Sequence, residues 1–361
     1  MKVYFVAGED SGDLHTRNLI RELKVRYPQV QTRGVGGDKM AEQGTELIAH
    51  IRDINFMGFL EVIRNLQTIR KLFATVKNDI LTWRPDAVVL VDYPGFNLRL
   101  AKFVKSLGIT LFYYISPQIW AWKKGRVKII RRYVDRMLVI LPFEKDFYRK
   151  EGVEVDFVGH PLLDEISHSS GFSSGLNKVI ALLPGSRKQE ISRMLPVMLK
   201  MVDRFPEYRF VIAGAPSQEE NFYREIIQNA PAELVMNKTY DVLASAQAAL
   251  VTSGTATLET ALFNVPQVVC YRGSAFSYEI GKRLVKVSFI SLVNLILNRS
   301  LVTELIQYDF QEDRLEAELR KILLPEIRRQ KQAGYEELHR KLGDGGASAK
   351  AAAIIAEYLH E

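Results

Sequence analysis

Short apolar runs of four to six residues recur along the chain at 3–7, 87–91, 110–115 and 137–141, and again at 179–183, 209–213, 248–251 and 268–271. Uninterrupted runs of this length predict strands buried on both faces. Between them, apolar residues return every three or four positions, which predicts amphipathic helices. Strand and helix in alternation give a parallel sheet covered on both sides, so the expected fold is α/β, two Rossmann-like doubly wound sheets. The length, 361 residues, also exceeds what one hydrophobic core ordinarily serves. Gly159-His160-Pro161 and a Ser/Gly-rich segment at 167–175 mark a linker between the two series. The expected domains are 1–165, 176–335 and a C-terminal helical segment, 336–361. In such sheets ligands bind beyond the carboxyl ends of the strands, and the two sheets are expected to face one cleft.

The loops at those ends differ in chemistry. Residues 251–272 read as strand, tight turn, helix and strand. Gly254 admits close approach of a ligand, and the N–H groups that follow suit a diphosphate at a helix N-terminus. Glu259, one turn in, is placed to accept from a ribose. The same stretch also fits an ordinary N-cap followed by a solvent-facing acid. Pro184-Gly185-Ser186-Arg187-Lys188 is a second glycine turn into a helix, now with cations, and it lacks the spacing of a P-loop. Asn294, Glu304 and Gln307 stud a polar stretch expected to line the cleft.

In the first half, Gly8-Glu9-Asp10-Ser11-Gly12-Asp13 sets three acids among glycines. Acids repel phosphate, so a neutral polyol fits there better. Helix capping by Ser11 or Asp13 is the plainer reading. Asp92 follows an apolar run and is sheltered by Tyr93, Pro94 and Phe96, a setting that raises a carboxyl pKa and suits a general base. Ser116-Pro117-Gln118-Ile119-Trp120-Ala121-Trp122 precedes six basic residues in the ten from Lys123 to Arg132, a pattern that fits a membrane interface or a phosphate-bearing ligand. The Phe56-Met57-Gly58-Phe59-Leu60 loop leads into a basic amphipathic helix. It either dips into a membrane or covers the sheet.

Composition narrows the classes. One cysteine, Cys270, excludes an intramolecular disulfide and makes a Cys/His metal cluster implausible, so the cytoplasm is expected. The N-terminus turns acidic where a signal peptide would be cleaved. No run approaches the ~18 apolar residues of a membrane span. A net charge of +7 points to an anionic partner without choosing among nucleic acid, phosphorylated substrate and membrane.

Taken in order, these loops resemble those of the lipid A disaccharide synthase family, inverting glycosyltransferases of the two-Rossmann-domain (GT-B) type. The likeness spans nearly the whole chain. It rests on the loop from Ala7 to Asp13, Gly34-Val35-Gly36-Gly37-Asp38-Lys39-Met40, Met57-Gly58-Phe59-Leu60-Glu61-Val62 and Phe96-Asn97-Leu98. It continues through the segment from Tyr114 to Trp122, Leu141-Pro142-Phe143-Glu144, Val158-Gly159-His160-Pro161, Leu182-Leu183-Pro184-Gly185-Ser186-Arg187, the stretch from Ser253 to Glu259, and that from Leu301 to Gln307.

The resemblance implies transfer of 2,3-diacylglucosamine from its UDP-linked donor to the 6-hydroxyl of 2,3-diacylglucosamine 1-phosphate (lipid X). The β-1,6 disaccharide and UDP form at the cytoplasmic face of the inner membrane, where such a protein is peripheral. It implies Asp92 as base, with Glu9 or Asp13 as fallback. Gly185, Ser186, Arg187, Ser253, Gly254, Thr255, Glu259, Arg272, Asn294, Glu304 and Gln307 would hold the donor. Ser11, Met57, Phe59, Leu60, Ser116, Gln118, Trp120 and Trp122 would serve the acceptor, its lipid chains or the membrane. No metal, other cofactor or nucleic acid is expected. Two departures from the family pattern stand out: Asp10 replaces a small residue, and Gly95 replaces a second acid, so Asp92 is the one carboxylate of its loop. The alternatives are another UDP-N-acetylglucosamine-using GT-B enzyme (a peptidoglycan glycosyltransferase or a 2-epimerase) and a non-catalytic nucleotide- or lipid-binding protein. A homodimer is one option for assembly, and the last helix either returns to its own N-terminal domain or crosses to a partner.

Overall fold

The computed structural model describes residues 1–53, 66–120, 124–167, 178–273 and 288–360. The chain forms two compact units, Met1–Asp164 joined by Gly345–Glu361, and Glu165–Asp344. Each is built on a parallel sheet. In the first, strands β1 (Lys2–Ala7), β2 (Gln31–Gly36), β3 (Glu46–His50), β4 (Ala87–Val91), β5 (Thr110–Tyr114), β6 (Arg136–Val139) and β7 (Asp156–Phe157) lie in the order β3-β2-β1-β4-β5-β6-β7. In the second, β8 (Val179–Leu183), β9 (Arg209–Gly214), β10 (Ala232–Met236), β11 (Ala248–Thr252), β12 (Gln267–Tyr271) and β13 (Thr303–Ile306) lie in the order β10-β9-β8-β11-β12-β13. The strand order reverses direction between β1 and β4, and again between β8 and β11. The two doubly wound sheets are those the apolar runs imply.

The central strands are the legible ones, because both faces are covered: β4 (Ala-Val-Val-Leu-Val) and β11 (Ala-Ala-Leu-Val-Thr) are buried at every position. β3, β10 and β13 lie at sheet edges with polar or half-exposed residues, and β7 is two residues long, so none of them shows as an apolar run. β2 (Gln-Thr-Arg-Gly-Val-Gly) is interior yet polar in sequence. Its register shifts between Gly34 and Val35, and a Cβ on Gly34 would stand 1.9 Å from the Phe5 carbonyl oxygen, so this close backbone approach requires glycine.

The helix Leu66–Trp83 buries Leu72, Val76 and Ile80, with Ile69 and Phe73 packed beside them. Its apolar stripe therefore covers the sheet, and Lys77 lies over the Phe73 and Phe103 rings. Residues 336–344, assigned from sequence to the C-terminal segment, instead belong to the second unit, where 336–342 complete the helix Pro325–Leu342 and Leu338 and Leu342 are fully buried. The segment that joins the first unit starts at Gly345. Its helix, Ala347–His360, packs along the helix Asp10–Arg26. Asp164 caps it, accepting from the N–H groups of Gly346 (2.6 Å), Ala347 (3.3 Å) and Ser348 (3.0 Å).

Candidate functional site

In open α/β sheets the crevice for a ligand opens where the strand order reverses, at the carboxyl ends of the two diverging strands. In the first unit those strands are β1 and β4, and they end in Glu9 and Asp92. Glu9 is the N-cap of the helix Asp10–Arg26. Asp92 and Tyr93 have φ of 43° and 46°, two successive left-handed residues without glycine, a strain of about 1–2 kcal/mol each. The turn passes directly into the helix Pro94–Ser106. Tyr93 lies against Gly8, where a Cβ would come within 2.3 Å of its ring, and stacks on Phe96 at 5.7 Å. Half-buried Asp92 loses solvation, and the nearby Glu9 charge repels its own. Together they push its carboxyl up to about 7 against the pull of the Tyr93 N–H. A group of that pKa accepts a proton readily at neutral pH.

Asp13 has a different task from the one expected. Its carboxylate accepts from the N–H groups of Gly37 (2.7 Å), Lys39 (3.1 Å) and Met40 (3.2 Å), and so caps the short helix Asp38–Glu42. Both of its oxygens are thus engaged by backbone donors, and the side chain is buried. Ser11 stays exposed on the first turn of its helix. Ser116 is buried instead of open to a ligand: its hydroxyl pairs with that of Tyr148 (2.8 Å) and bonds the Pro117 carbonyl (3.0 Å). Gln118 is exposed, and half-buried Trp120 meets Phe143 edge to face at 4.9 Å. The organiser here is Glu144, which sequence reading passed over. It accepts from the N–H groups of Ile140 (3.2 Å) and Leu141 (2.9 Å) and from the Trp120 indole (3.3 Å), and burial pushes it up to about 7 against those donors and Ser116. Ile115, at the end of β5, has φ of 65°, a rare state for a β-branched residue. Met57, Phe59, Leu60 and Trp122 lie outside the described residues.

In the second unit β8 and β11 diverge, and they end in Gly185-Ser186-Arg187 and Ser253-Gly254-Thr255. Gly254 takes φ of 157° with ψ of −161°, and a Cβ there would meet nothing within 4 Å, so open space fronts the helix Thr255–Leu262. No side chain caps that helix. Glu259 is half-buried, accepts from the Tyr240 hydroxyl at 3.1 Å, and has its pKa raised by burial. Gly185 has φ of 107°; Glu190 accepts from the Ser186 N–H (3.3 Å) and the Arg187 guanidinium (3.2 Å), while Arg187 itself remains largely exposed.

The polar stretch after 288 is tied together by its own hydrogen bonds. Asn294 is fully buried: it donates to the Val302 carbonyl (2.9 Å) and to Glu304 (2.9 Å) and accepts from the N–H groups of Leu301 (2.8 Å) and Val302 (2.9 Å). Glu304 also accepts from the N–H groups of Ile290 (2.9 Å) and Ser291 (3.0 Å), and Gln307 accepts from the Gly273 N–H (2.7 Å). A buried polar group is ordinarily hydrogen-bonded: Asn294 and Gln307 are buried, Glu304 is half-buried, and all three hold backbone groups. The Ser253 hydroxyl likewise donates to the Ile290 carbonyl at 2.9 Å, and Arg272 donates to the Phe310 carbonyl and lies over its ring. Among the described residues no cluster of His, Cys, Asp and Glu has the geometry to hold a metal ion, and no helix is long and apolar enough to cross a membrane.

A family model described as lipid-A-disaccharide synthetase matches residues 3–358. The chain is similar to lipid-A-disaccharide synthase of Geobacter metallireducens, at 40% identity over 99% of this chain and 97% of that one. It is also similar to the synthase of Syntrophus aciditrophicus, at 42% over 98% and 96%. Among solved structures it resembles UDP-GlcNAc 2-epimerase from Neisseria meningitidis bound to UDP-GlcNAc, with TM-score 0.66, 13% identity and 100% of both chains covered. The glycotransferase of kitacinnamycin matches with TM-score 0.66 and 15% identity over 99% of each chain. At such identities these two structures speak to fold alone.

Proposed function

The chain belongs to the lipid-A-disaccharide synthetase family, and from that premise we propose a division of labour in which the second unit holds the UDP of the donor and the first holds the acceptor and the base. The protein is a glycosyltransferase. It transfers 2,3-diacylglucosamine from UDP-2,3-diacylglucosamine to the 6-hydroxyl of 2,3-diacylglucosamine 1-phosphate, with inversion, giving the β-1,6 disaccharide 1-phosphate and UDP. The observation that carries the residue assignment is electrostatic. One switch point gathers two acids, and the other sets Gly254 and the uncapped start of the helix Thr255–Leu262 near Arg187, whose guanidinium pairs with Glu190.

In the reaction the acceptor oxygen attacks the anomeric carbon as its proton passes to Asp92. The bond from that carbon to the diphosphate breaks, and its electron pair leaves with UDP. Negative charge growing on the diphosphate is met by the N–H groups at Thr255 and Ala256, by the dipole of their helix and by Arg187, so the step draws on no metal. Glu259 accepts from the ribose. Of the donor set named from sequence, Gly185, Ser186, Arg187, Gly254, Thr255 and Glu259 are the ones we assign to the ligand. Ser253, Arg272, Asn294, Glu304 and Gln307 support the loops that carry them.

Incubation with UDP-diacylglucosamine and lipid X, following UDP and disaccharide together, tests the activity. Absence of disaccharide would sink it. Turnover that survives a chelator is expected from a site without metal. Peripheral attachment to the inner membrane through the Met57–Leu60 loop is a further part of this reading, supported by the sequence and the lipid substrates. Vesicle binding unchanged by Met57→Asp with Phe59→Asp would remove it.

A further inference from the structure

Asn97 is fully buried on the first turn of the helix Pro94–Ser106. Its amide N–H groups reach three carbonyls: Val6 on β1 (3.3 Å), Val91 at the end of β4 (3.2 Å), and Asp92 itself (2.9 Å). Three converging oxygens accept hydrogen bonds and offer none, which sets the amide nitrogen toward them. A second donor, the hydroxyl of buried Tyr113 on β5, closes on the same Asp92 carbonyl. The Asp92 N–H bonds the Tyr114 carbonyl at 3.1 Å. The strained peptide that carries the acid is therefore held from three adjacent strands at the point where the sheet reverses. A left-handed Asp-Tyr pair has little reason to persist unless its surroundings over-determine it.

We propose that Asn97 and Tyr113 are positioning residues that clamp the left-handed Asp92-Tyr93 turn and so hold the Asp92 carboxylate beside Glu9 and half-buried. The inference rests on Asp92 as the base and deepens that reading. The ionisable groups around Asp92 are Glu9 from the start of its helix, Tyr93 and Tyr113; Arg126 and Tyr148 act on Tyr113. Without the clamp the turn relaxes toward ordinary backbone angles, water reaches the carboxylate, and its distance from Glu9 grows. Both changes lower its affinity for a proton.

The test compares Asn97→Ala and Tyr113→Phe with the unchanged full-length enzyme, using UDP-diacylglucosamine and lipid X across pH, with circular dichroism and UDP binding as checks of fold. Asn97→Ala should lower kcat by about 10- to 100-fold, because a displacement of the order of an ångström at the reacting group is that costly. KM should change by less than about threefold, and the acidic limb of the kcat profile should move down by at least about half a pH unit. Tyr113→Phe, which removes one donor and no volume, should move both readouts the same way by a smaller amount. It decides the matter if Asn97→Ala does not fold. A folded variant with unchanged kcat and an unmoved acidic limb overturns the clamp. Asp92→Asn separates the two ideas: if it turns over normally, the base assignment falls and the clamp with it, whereas an inactive Asp92→Asn beside unaffected Asn97 and Tyr113 variants removes the clamp alone.

Discussion

Replacing Asp92 with asparagine removes a charge the first unit holds at a cost, so it should stabilise the protein while ending turnover. The carboxyl rises from an ordinary 3.8 to about 7 through burial and the Glu9 charge. A folded-state pKa above the unfolded value contributes stability that is complete below the unfolded pKa, near 4, and is lost as pH rises through about 7. The full shift corresponds to roughly 4 kcal/mol. Water still reaches half-buried Asp92, and screening reduces this to about 2 kcal/mol above pH 8. For a unit of this size that is about 4–8 °C of melting temperature. Thermal unfolding of the two proteins at pH 4 and pH 8.5 reads it directly: near-equal midpoints at the lower pH, and Asp92→Asn the more stable at the higher. In the same buffers the parent's turnover should climb about tenfold per pH unit below about 7 and then level, while the variant makes no product yet binds UDP. An offset in midpoint of the same size at both pH values refutes the electrostatic reasoning, and normal turnover by the variant refutes the role of the base.

Asn294→Leu, close in volume, leaves the N–H groups of Leu301 and Val302 and the carbonyl of Val302 without partners. Urea unfolding should show a loss of about 3–5 kcal/mol. Glu259→Gln replaces a charged acceptor by a neutral one and should raise the Kd for UDP by about 5- to 30-fold in calorimetry, leaving the KM for lipid X in place. In Glu144→Gln the amide oxygen still serves Ile140 and Leu141, but an N–H now opposes the Trp120 indole N–H. Trp120 should loosen, seen as a red shift of its emission together with a raised KM for lipid X.

The two sheets were legible because β4, β5, β8 and β11 are buried on both faces and so are written in unbroken apolar residues. Asp92, Glu9, Gly185 and Gly254 were legible for a related reason: strand ends at a switch point are short loops, and sequence adjacency there is spatial adjacency. Glu144, which binds N–H groups three and four residues before it, falls within the same reach and was missed because its motif was seen without its partners. The clamp on Asp92 was not open to such reading, since Asn97 bonds Val6 across ninety-one positions of chain. For Asn294, Glu304 and Gln307 sequence shows that a polar residue is present and is silent on whether it faces ligand or backbone. Burial decides that, and burial is a property of the fold.

The switch points also explain why one topology serves two chemistries. Both place a loop and a helix start at diverging parallel strands. In the second unit the loop residues include glycines with φ of 107° at Gly185, which packs against Glu190, and 157° at Gly254, where open space fronts the N–H groups of the helix that follows. In the first unit the equivalent loops carry Glu9, Asp92 and the Tyr93 ring over Gly8, which fill that space and make the local field negative. A diphosphate set there would meet two carboxylates. That field disfavours seating the nucleotide in the first unit. On the proposed division of labour, the side chains at the strand ends, more than the fold, set which half takes the nucleotide.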